Sequence, residues 1–292
     1  MKKDITELFC RVDEFAGGID KELKHYQLTC GQKMSLPNRS PGLCMGEIMT
    51  ITLMFHESPC RNFKYFYQSY LQLYKAEFPL LPSYDRFISL MPRALVYLML
   101  LLYSLLTPGK GIAYIDSTSL AVCHSKRISR NKVFKGLAEL GKTTKGWFFG
   151  FKLHLIVDEK GNLMRAKLTK GNIDDRYVVP EMTTGLTGLL FGDKGYIKKE
   201  LFLKLYKAGL KLVTGIKKKM TNTLISWHEK ILLRKRSLIE TVFDYLKNKL
   251  QLEHTRHRSA LNMLVHIVST LIVYQLKTTK PSISQEFPLP IP

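Results

Sequence analysis

The 292-residue sequence is 45% hydrophobic, enough for two domains with cores of their own. Lys and Arg outnumber Asp and Glu by 45 to 24, and the net charge of +21 is more than solubility requires and implies a polyanionic partner, nucleic acid first. Cys10, Cys30, Cys44, Cys60 and Cys123 are odd in number and lack metal-ligand spacing, which excludes a disulfide framework or a zinc knuckle and reads as buried thiols in a reducing compartment.

Met1-Lys-Lys-Asp leads into an amphipathic stretch and not into a signal segment, so a cytoplasmic protein is expected. Residues 1–105 read as a helical N-terminal domain. Apolar residues recur at helical spacing over Ile5–Phe15, Met45–His56, Phe63–Phe78 and Ala94–Leu106, with Pro and Gly between them. Gly46 to Tyr67 has the outline of a helix-turn-helix presenting Arg61, Asn62 and Lys64, though a structural helical hairpin fits as well. Ala94–Leu106 is the longest apolar run and too short to span a bilayer, so no membrane partner is expected.

After Thr107-Pro-Gly109 the pattern changes. Gly111–Ile115 reads as a buried strand, Trp147–Val157 as an alternating one, and Leu163–Thr169 as a third, with Asp158–Asn162 as a hairpin turn. A short helix near Tyr177–Met182, a strand ending at Asp193, a helix Lys198–Ala208, a strand Leu210–Ile216 and a long helix around Glu240 follow. This order is that of a ribonuclease-H-like domain over 106–276, with a mixed five-stranded sheet flanked by helices. Between the first two strands, 117–146 reads as a basic insertion carrying Lys126, Arg127, Arg130, Lys132, Lys135, Lys142 and Lys145 against Glu139 alone. A second basic run includes Lys217-Lys-Lys219, and 277–292 reads as a Pro-rich tail.

Three carboxylates stand out. Asp116 and Asp193 each end an apolar run, and Glu240 lies in a helix with Arg236 four residues before it and Lys247 seven after it. At about 100° per residue, Arg236 falls roughly 40° and Lys247 roughly 20° to one side of Glu240. Ile239, Phe243, Leu246 and Leu250 form the neighbouring apolar face. One carboxylate would thus be offered at the rim of a packed helix, flanked by two cations.

Tyr114-Ile-Asp116-Ser-Thr, Phe191-Gly-Asp193-Lys-Gly-Tyr196 and Arg236-x3-Glu240-x6-Lys247 resemble the DDE transposases of bacterial insertion sequences, in the superfamily with a Tyr-x2-Arg-x3-Glu-x6-Lys signature. Val133–Leu137, Gly150–His154, Gly171–Arg176 and Glu253–Ser259 resemble the nine-eighty-two group in particular. Leu233 stands where that signature has its tyrosine. The resemblance implies that Asp116, Asp193 and Glu240 are catalytic and bind two divalent ions, Mg²⁺ or Mn²⁺, and that Arg236 and Lys247 touch DNA beside the cleavage point. It further implies double-stranded DNA partners at element ends and target, a homodimer or larger assembly on DNA, a nucleoid-associated location in a bacterium and no small-molecule cofactor.

Carboxylate oxygens suit hard divalent ions, and two such ions can activate a nucleophile and stabilise a leaving oxygen in phosphodiester chemistry. Each residue also has a plainer reading. A strand-end Asp is often a cap, Arg236 and Glu240 are an ordinary helical pair, His154 on an apolar strand is a core histidine, and Asp174 and Asp175 cap the helix after them. Lys126, Arg127 and Arg130 form a candidate DNA-backbone arm. Arg256 and Arg258, with His254 and His257, form a basic knot suited to phosphate or to a solvated turn. The function expected is DNA cleavage and strand transfer. A nuclease that does not join ends, and an inactive DNA-binding regulator, are the rivals.

Overall fold

The computed structural model describes residues 4–30, 42–144, 146–216, 225–254 and 256–283, so the lysine run 217–219 and most of the Pro-rich tail lie outside the described residues. The chain divides into two compact units: residues 1–105 with 250–252 and 258–276, and residues 106–249 with 253–257 and 277–292.

The first unit is built from helices. They are α1 (Thr6–Cys30), α2 (Met45–Glu57), α3 (Phe63–Tyr65), α4 (Tyr84–Leu90), α5 (Leu95–Leu105) and, from the far end of the sequence, α10 (Ala260–Leu276). The helix α2 starts at a capping box: the Cys44 Sγ accepts from the Glu47 N–H at 3.3 Å while the Glu47 carboxylate accepts from the Cys44 N–H at 2.7 Å. Among the described side chains Cys10 and Cys44 are exposed and Cys60 and Cys123 buried, so the expectation of buried thiols holds for part of the set. The segment read as one helix over Phe63–Phe78 breaks up. After Asn62 caps α3, a π turn (Phe66–Tyr70) and a 3₁₀ turn (Leu71–Tyr74) bury Phe66, Tyr67, Leu71 and Tyr74 among stacked aromatic rings. Packing of large rings overrides helical periodicity here.

Helix α4, a 3₁₀ turn (Met91–Ala94) and α5 run on as one helical stretch from Tyr84 to Leu105, longer than the apolar run in the sequence and, by length and composition alone, sufficient to cross a bilayer. Leu98, Leu101 and Leu102 are buried while Val96, Met99, Leu100 and Tyr103 are exposed, so one side of α5 alone has the burial expected of a core helix, and α10 packs on α5 and α2. The sequence reading placed 260–276 with the ribonuclease-H-like domain; its near-continuous apolar surface instead closes the helical unit.

The second unit holds a mixed sheet: β1 (Lys110–Ala121), β2 (Glu139–Thr143), β3 (Gly146–Asp158), β4 (Leu163–Lys170), β5 (Thr187–Gly192) and β6 (Leu210–Thr214). β1 lies between β3, antiparallel, and β5, parallel; β6 continues beyond β5 in parallel. Helices α6 (Asp175–Met182), α7 (Lys199–Lys207), α8 (Trp227–Arg234) and α9 (Ser237–Asp244) accompany it. Ala113, Ile115, Leu190, Leu212, Val179 and Leu205 form one buried layer between the sheet and α6 and α7.

Two expectations change. The sheet has six strands instead of five, because β4 covers β3 only from Phe151 onward and leaves Gly146–Gly150 an open edge, which β2 pairs. The basic insertion is therefore partly sheet. Second, β1 does not stop at Asp116. Ser117–Ala121 lacks an apolar pattern, yet its backbone pairs with Gly150–His154. Where β1 and β3 pass, no side chain fits on Gly150: a Cβ there would lie 2.0 Å from the Leu120 carbonyl oxygen.

Candidate active site

Strand alternation decides what faces what. On β1, Tyr114 and Asp116 point to one face and Ile115 and Ser117 to the other. The Tyr114 ring stacks on Phe191 at 5.4 Å, and its hydroxyl donates to the Leu232 carbonyl of α8 at 3.3 Å. Asp116 therefore emerges mid-strand beside the segment that starts α9. Its Oδ1 accepts from the Ser117 N–H at 2.8 Å and its Oδ2 from the Arg236 Nη1 at 3.1 Å. Asp193 follows the end of β5, where its Oδ1 accepts from the Gly195 N–H at 2.8 Å and fixes the 3₁₀ turn Lys194–Tyr196. Glu240 sits in the first turn of α9, where the helix dipole favours a carboxylate.

The three carboxylates share one electrostatic neighbourhood. Burial pushes Asp116 up to about 6; the Ser117 N–H and the Arg236 guanidinium pull it down, while Asp193 and Glu240 push it further up. Arg236 holds the group together. One tooth of its fork reaches Asp116 and the other reaches Glu240 at 2.6 Å. Among the described residues no three His, Cys, Asp or Glu side chains gather closely enough to enclose a metal ion. The guanidinium supplies the cationic charge between Asp116 and Glu240. The donor set still fits a divalent ion: every candidate ligand is a carboxylate, and Asp116 is a part-buried carboxylate whose charge is only partly offset.

The structure places Arg236 just ahead of α9 and not inside a longer helix, and the helix passes into a π turn (Tyr245–Lys249). Lys247 consequently lies along β1. Its Nζ donates to the Ser119 carbonyl at 2.7 Å and pairs at 3.1 Å with Glu253, whose carboxylate in turn accepts from the Ala121 N–H. Without DNA, Lys247 is thus engaged in a clamp on the far end of β1, and the π turn sets it elsewhere relative to Glu240 than one unbroken α-helix would.

Below Asp116, on the opposite sheet face, lies a polar layer the sequence reading did not single out. Ser117 donates to Asp175 at 2.9 Å; Lys152 donates to the other oxygen of Asp175 at 2.9 Å and to the Ile173 carbonyl. The Tyr196 hydroxyl is buried with no hydrogen bond of good geometry among the described residues; burial first, then the charges of Asp116, Asp175 and Asp193, push its ionisation far above the ordinary phenol range, and the nearby Ser117 hydroxyl lowers it somewhat. Asp174 caps α6 and pairs with Arg176, which holds it down near 2, whereas Asp175 faces the site. Gly-Asp-Lys-Gly-Tyr196 was visible as a motif, but only the fold shows that its tyrosine turns back under the carboxylates. His154 is fully buried, bonded through Nε2 to Thr169 at 2.8 Å, and lowered to about 4 by burial.

Of the remaining candidates, Lys126, Arg127 and Arg130 lie on an exposed 3₁₀ segment (Ser125–Arg130), and none is in an ion pair among the described residues. Arg256 and Arg258 are exposed and fall in different units, Arg256 in the second and Arg258 in the first. Leu233 is half-buried on α8.

A sheet in the order β4-β3-β1-β5-β6, with one aspartate on β1, one just after the neighbouring β5 and a glutamate on a later helix, defines a ribonuclease-H-like domain of the polynucleotidyl transferase type. The family model described as the transposase DDE domain matches residues 107–260, more than half of the chain, and the chain belongs to that family. No curated protein sequence matches it. Among solved structures it is similar to the piggyBac transposase in a synaptic complex with hairpin DNA, at 9% identity and a TM-score of 0.48, over 86% of this chain and 69% of that one.

Proposed function

We propose that this chain is the transposase of a bacterial insertion sequence of the nine-eighty-two group, cutting DNA at the element's ends and joining the freed 3′ hydroxyl to a target. The observation that supports the reading is the Arg236 fork between Asp116 and Glu240, with Asp193 near enough to Asp116 to push its ionisation up. Asp116, Asp193 and Glu240 would hold Mg²⁺ or Mn²⁺. Two such ions, when bound, activate the attacking oxygen and stabilise the leaving one.

The protein's own residues do the rest. Arg236, one-quarter exposed, has a planar fork suited to a phosphate, and releases both carboxylates when it turns to one. Asp193 is held in place by the Gly195 N–H, and Asp116 by the Ser117 N–H, so two ligands are oriented before DNA arrives. Lys126, Arg127 and Arg130 serve as a backbone contact, and the helical unit as the element for end recognition or dimerisation. The partners are double-stranded DNA and a second copy of the chain, in the bacterial cytoplasm.

The test is strand cleavage and strand transfer on labelled DNA bearing the flanking ends of the element, with Mg²⁺ or Mn²⁺, comparing the protein with Asp193→Ala. End-specific cutting with joined products, lost in the variant, is the expected result. Cutting without joining would reassign the chain as a nuclease, and binding with no cutting by either protein as a DNA-binding regulator. Neutralising Lys126, Arg127 and Arg130 together should reduce the salt slope of binding by up to about three phosphate contacts' worth; an unchanged slope removes the segment from the interface.

A further inference from the structure

The β2–β3 hairpin carries an aromatic surface that the carboxylate site does not use. Its register sets Leu140 opposite Phe149 and Lys142 opposite Trp147, so these four side chains share one face. The other face is closed, because the Phe148 ring covers the glycines at 141 and 171. The open face is not buried by any described residue of the second unit: Trp147 is 67% exposed and Leu140 47%, with Phe149 half-buried behind them. The Lys142 ammonium stands 5.6 Å from the centre of the indole ring. A large aromatic at such exposure is a surface waiting for a flat partner.

Charge identifies the partner. From Ser117 to Gly146 the sequence has seven Lys or Arg residues against Glu139, and Glu139 pairs with Lys170. A second copy of this face would bring like charges together. A partner that joins flat apolar rings to regularly spaced negative charge is a nucleic-acid strand, and the faces of its bases are accessible only where they are unpaired.

We infer that the Leu140–Lys142–Trp147–Phe149 face is a stacking platform for an unpaired base of DNA, with Lys142 beside the ring to take the adjacent phosphate. The inference rests on the proposed action on DNA and adds a site to it. The platform is separate from the carboxylates: Asp116 pairs with Leu155, and Trp147 lies eight residues further along β3. At about 3.4 Å per residue that is roughly 27 Å, or about eight steps of duplex DNA. A strand held at both places is thus contacted well outside the reacting phosphate.

The chain has two tryptophans, so Trp227→Phe leaves Trp147 as the only indole. In that protein, Trp147 emission is followed while a single-stranded thymidine oligonucleotide, or an abasic oligonucleotide of the same length and charge, is added. Binding is measured in parallel by anisotropy of the labelled strand. The expected result is quenching by the base-bearing strand and none by the abasic one, although both bind. In addition, Trp147→Ala should weaken single-strand binding roughly 5- to 100-fold while Trp147→Phe retains most of it. Both positions are exposed, and circular dichroism checks that the variants are folded. Strands that bind while Trp147 emission stays unchanged, equal quenching by the two strands, or unaltered affinity in Trp147→Ala would each overturn the platform and leave the DNA-processing reading standing. A blue shift of Trp147 with protein concentration alone, accompanied by dimer formation, would show a second copy seated there and also overturn it. Binding of neither strand nor of any duplex would sink both readings.

Discussion

Replacing Asp116 by Asn isolates the electrostatic cost of assembling the site. The carboxyl has an ordinary value of 3.8 and rises to about 6 in the folded protein. A raised folded value means that the protonated form is favoured by folding. Its contribution is fully present below pH 3.8 and is lost as pH climbs through 6. At about 1.4 kcal/mol for each pH unit between the two values, ionised Asp116 costs the fold about 3 kcal/mol at pH 8. The Asn amide stays neutral and can still accept from the Ser117 N–H. The stability difference between Asp116→Asn and the original should therefore be flat below about pH 3, change between pH 3.8 and 6, and have moved by about 3 kcal/mol in favour of Asn by pH 8. Urea unfolding with a chelator present measures it, with hydrogen exchange of the β1 amides identifying the transition that belongs to the second unit. Adding Mg²⁺ should raise the melting temperature of the original and not of the variant. A difference that is the same at both ends of this pH range would refute the burial argument, and an equal response of both proteins to Mg²⁺ would refute the ligand assignment.

The Arg236→Gln change removes the guanidinium that lowers Asp116, so the Asp116 titration followed by carboxyl NMR should move above its value of about 6; an unmoved midpoint would mean that the fork is not maintained in solution. Tyr196→Phe deletes a buried hydroxyl with no well-formed hydrogen bond among the described residues, and urea unfolding should show stability unchanged or raised by about 1 kcal/mol. A clear loss would point to a bonded hydroxyl. His154, held neutral down to about 4, gives stability that is present above pH 6.5 and lost as pH falls through 4; His154→Asn should flatten the acid limb of the stability profile by up to about 3 kcal/mol. Gly150→Ala should destabilise by roughly 1–3 kcal/mol or more, because its Cβ would meet the Leu120 carbonyl. Gly17→Ala, with nothing near it in α1, should stabilise by about 0.5–1 kcal/mol, and chemical denaturation of the two variants side by side checks the contrast.

Much of the second unit is legible because its strands alternate or run apolar between turn residues. Ala113, Ile115 and Leu190 announce buried strands, and Asp116 and Asp193 stand out by interrupting them. What periodicity does not show is pairing made by backbone alone. Ser117–Ala121 and Glu139–Thr143 look polar, yet they extend the sheet because β3 offers them an open edge. Long-range side-chain traffic is equally silent. Nothing in the spacing of Lys247 says that it will meet the Ser119 carbonyl, and a π turn shifts every position after it on a helical wheel. Asp174 and Asp175 are neighbours of the same type; one caps a helix and the other reaches Ser117 and Lys152, a division fixed only when α6 docks on the sheet.

The placement of α10 bears on the order in which the protein can be made. Met263, Val265, Ile267, Leu271, Ile272 and Tyr274 of this helix are buried in a unit whose other helices come from residues 6–105. As the chain leaves the ribosome, residues 106–249 and 253–257 of the second unit emerge before the helical unit receives its closing piece. Until then the apolar sides of α2 and α5 have no cover from it. A ribosome stall or a nonsense codon before residue 258 would leave a second unit with most of its sheet and a first unit unable to close, which ties survival of the helical part to completed translation.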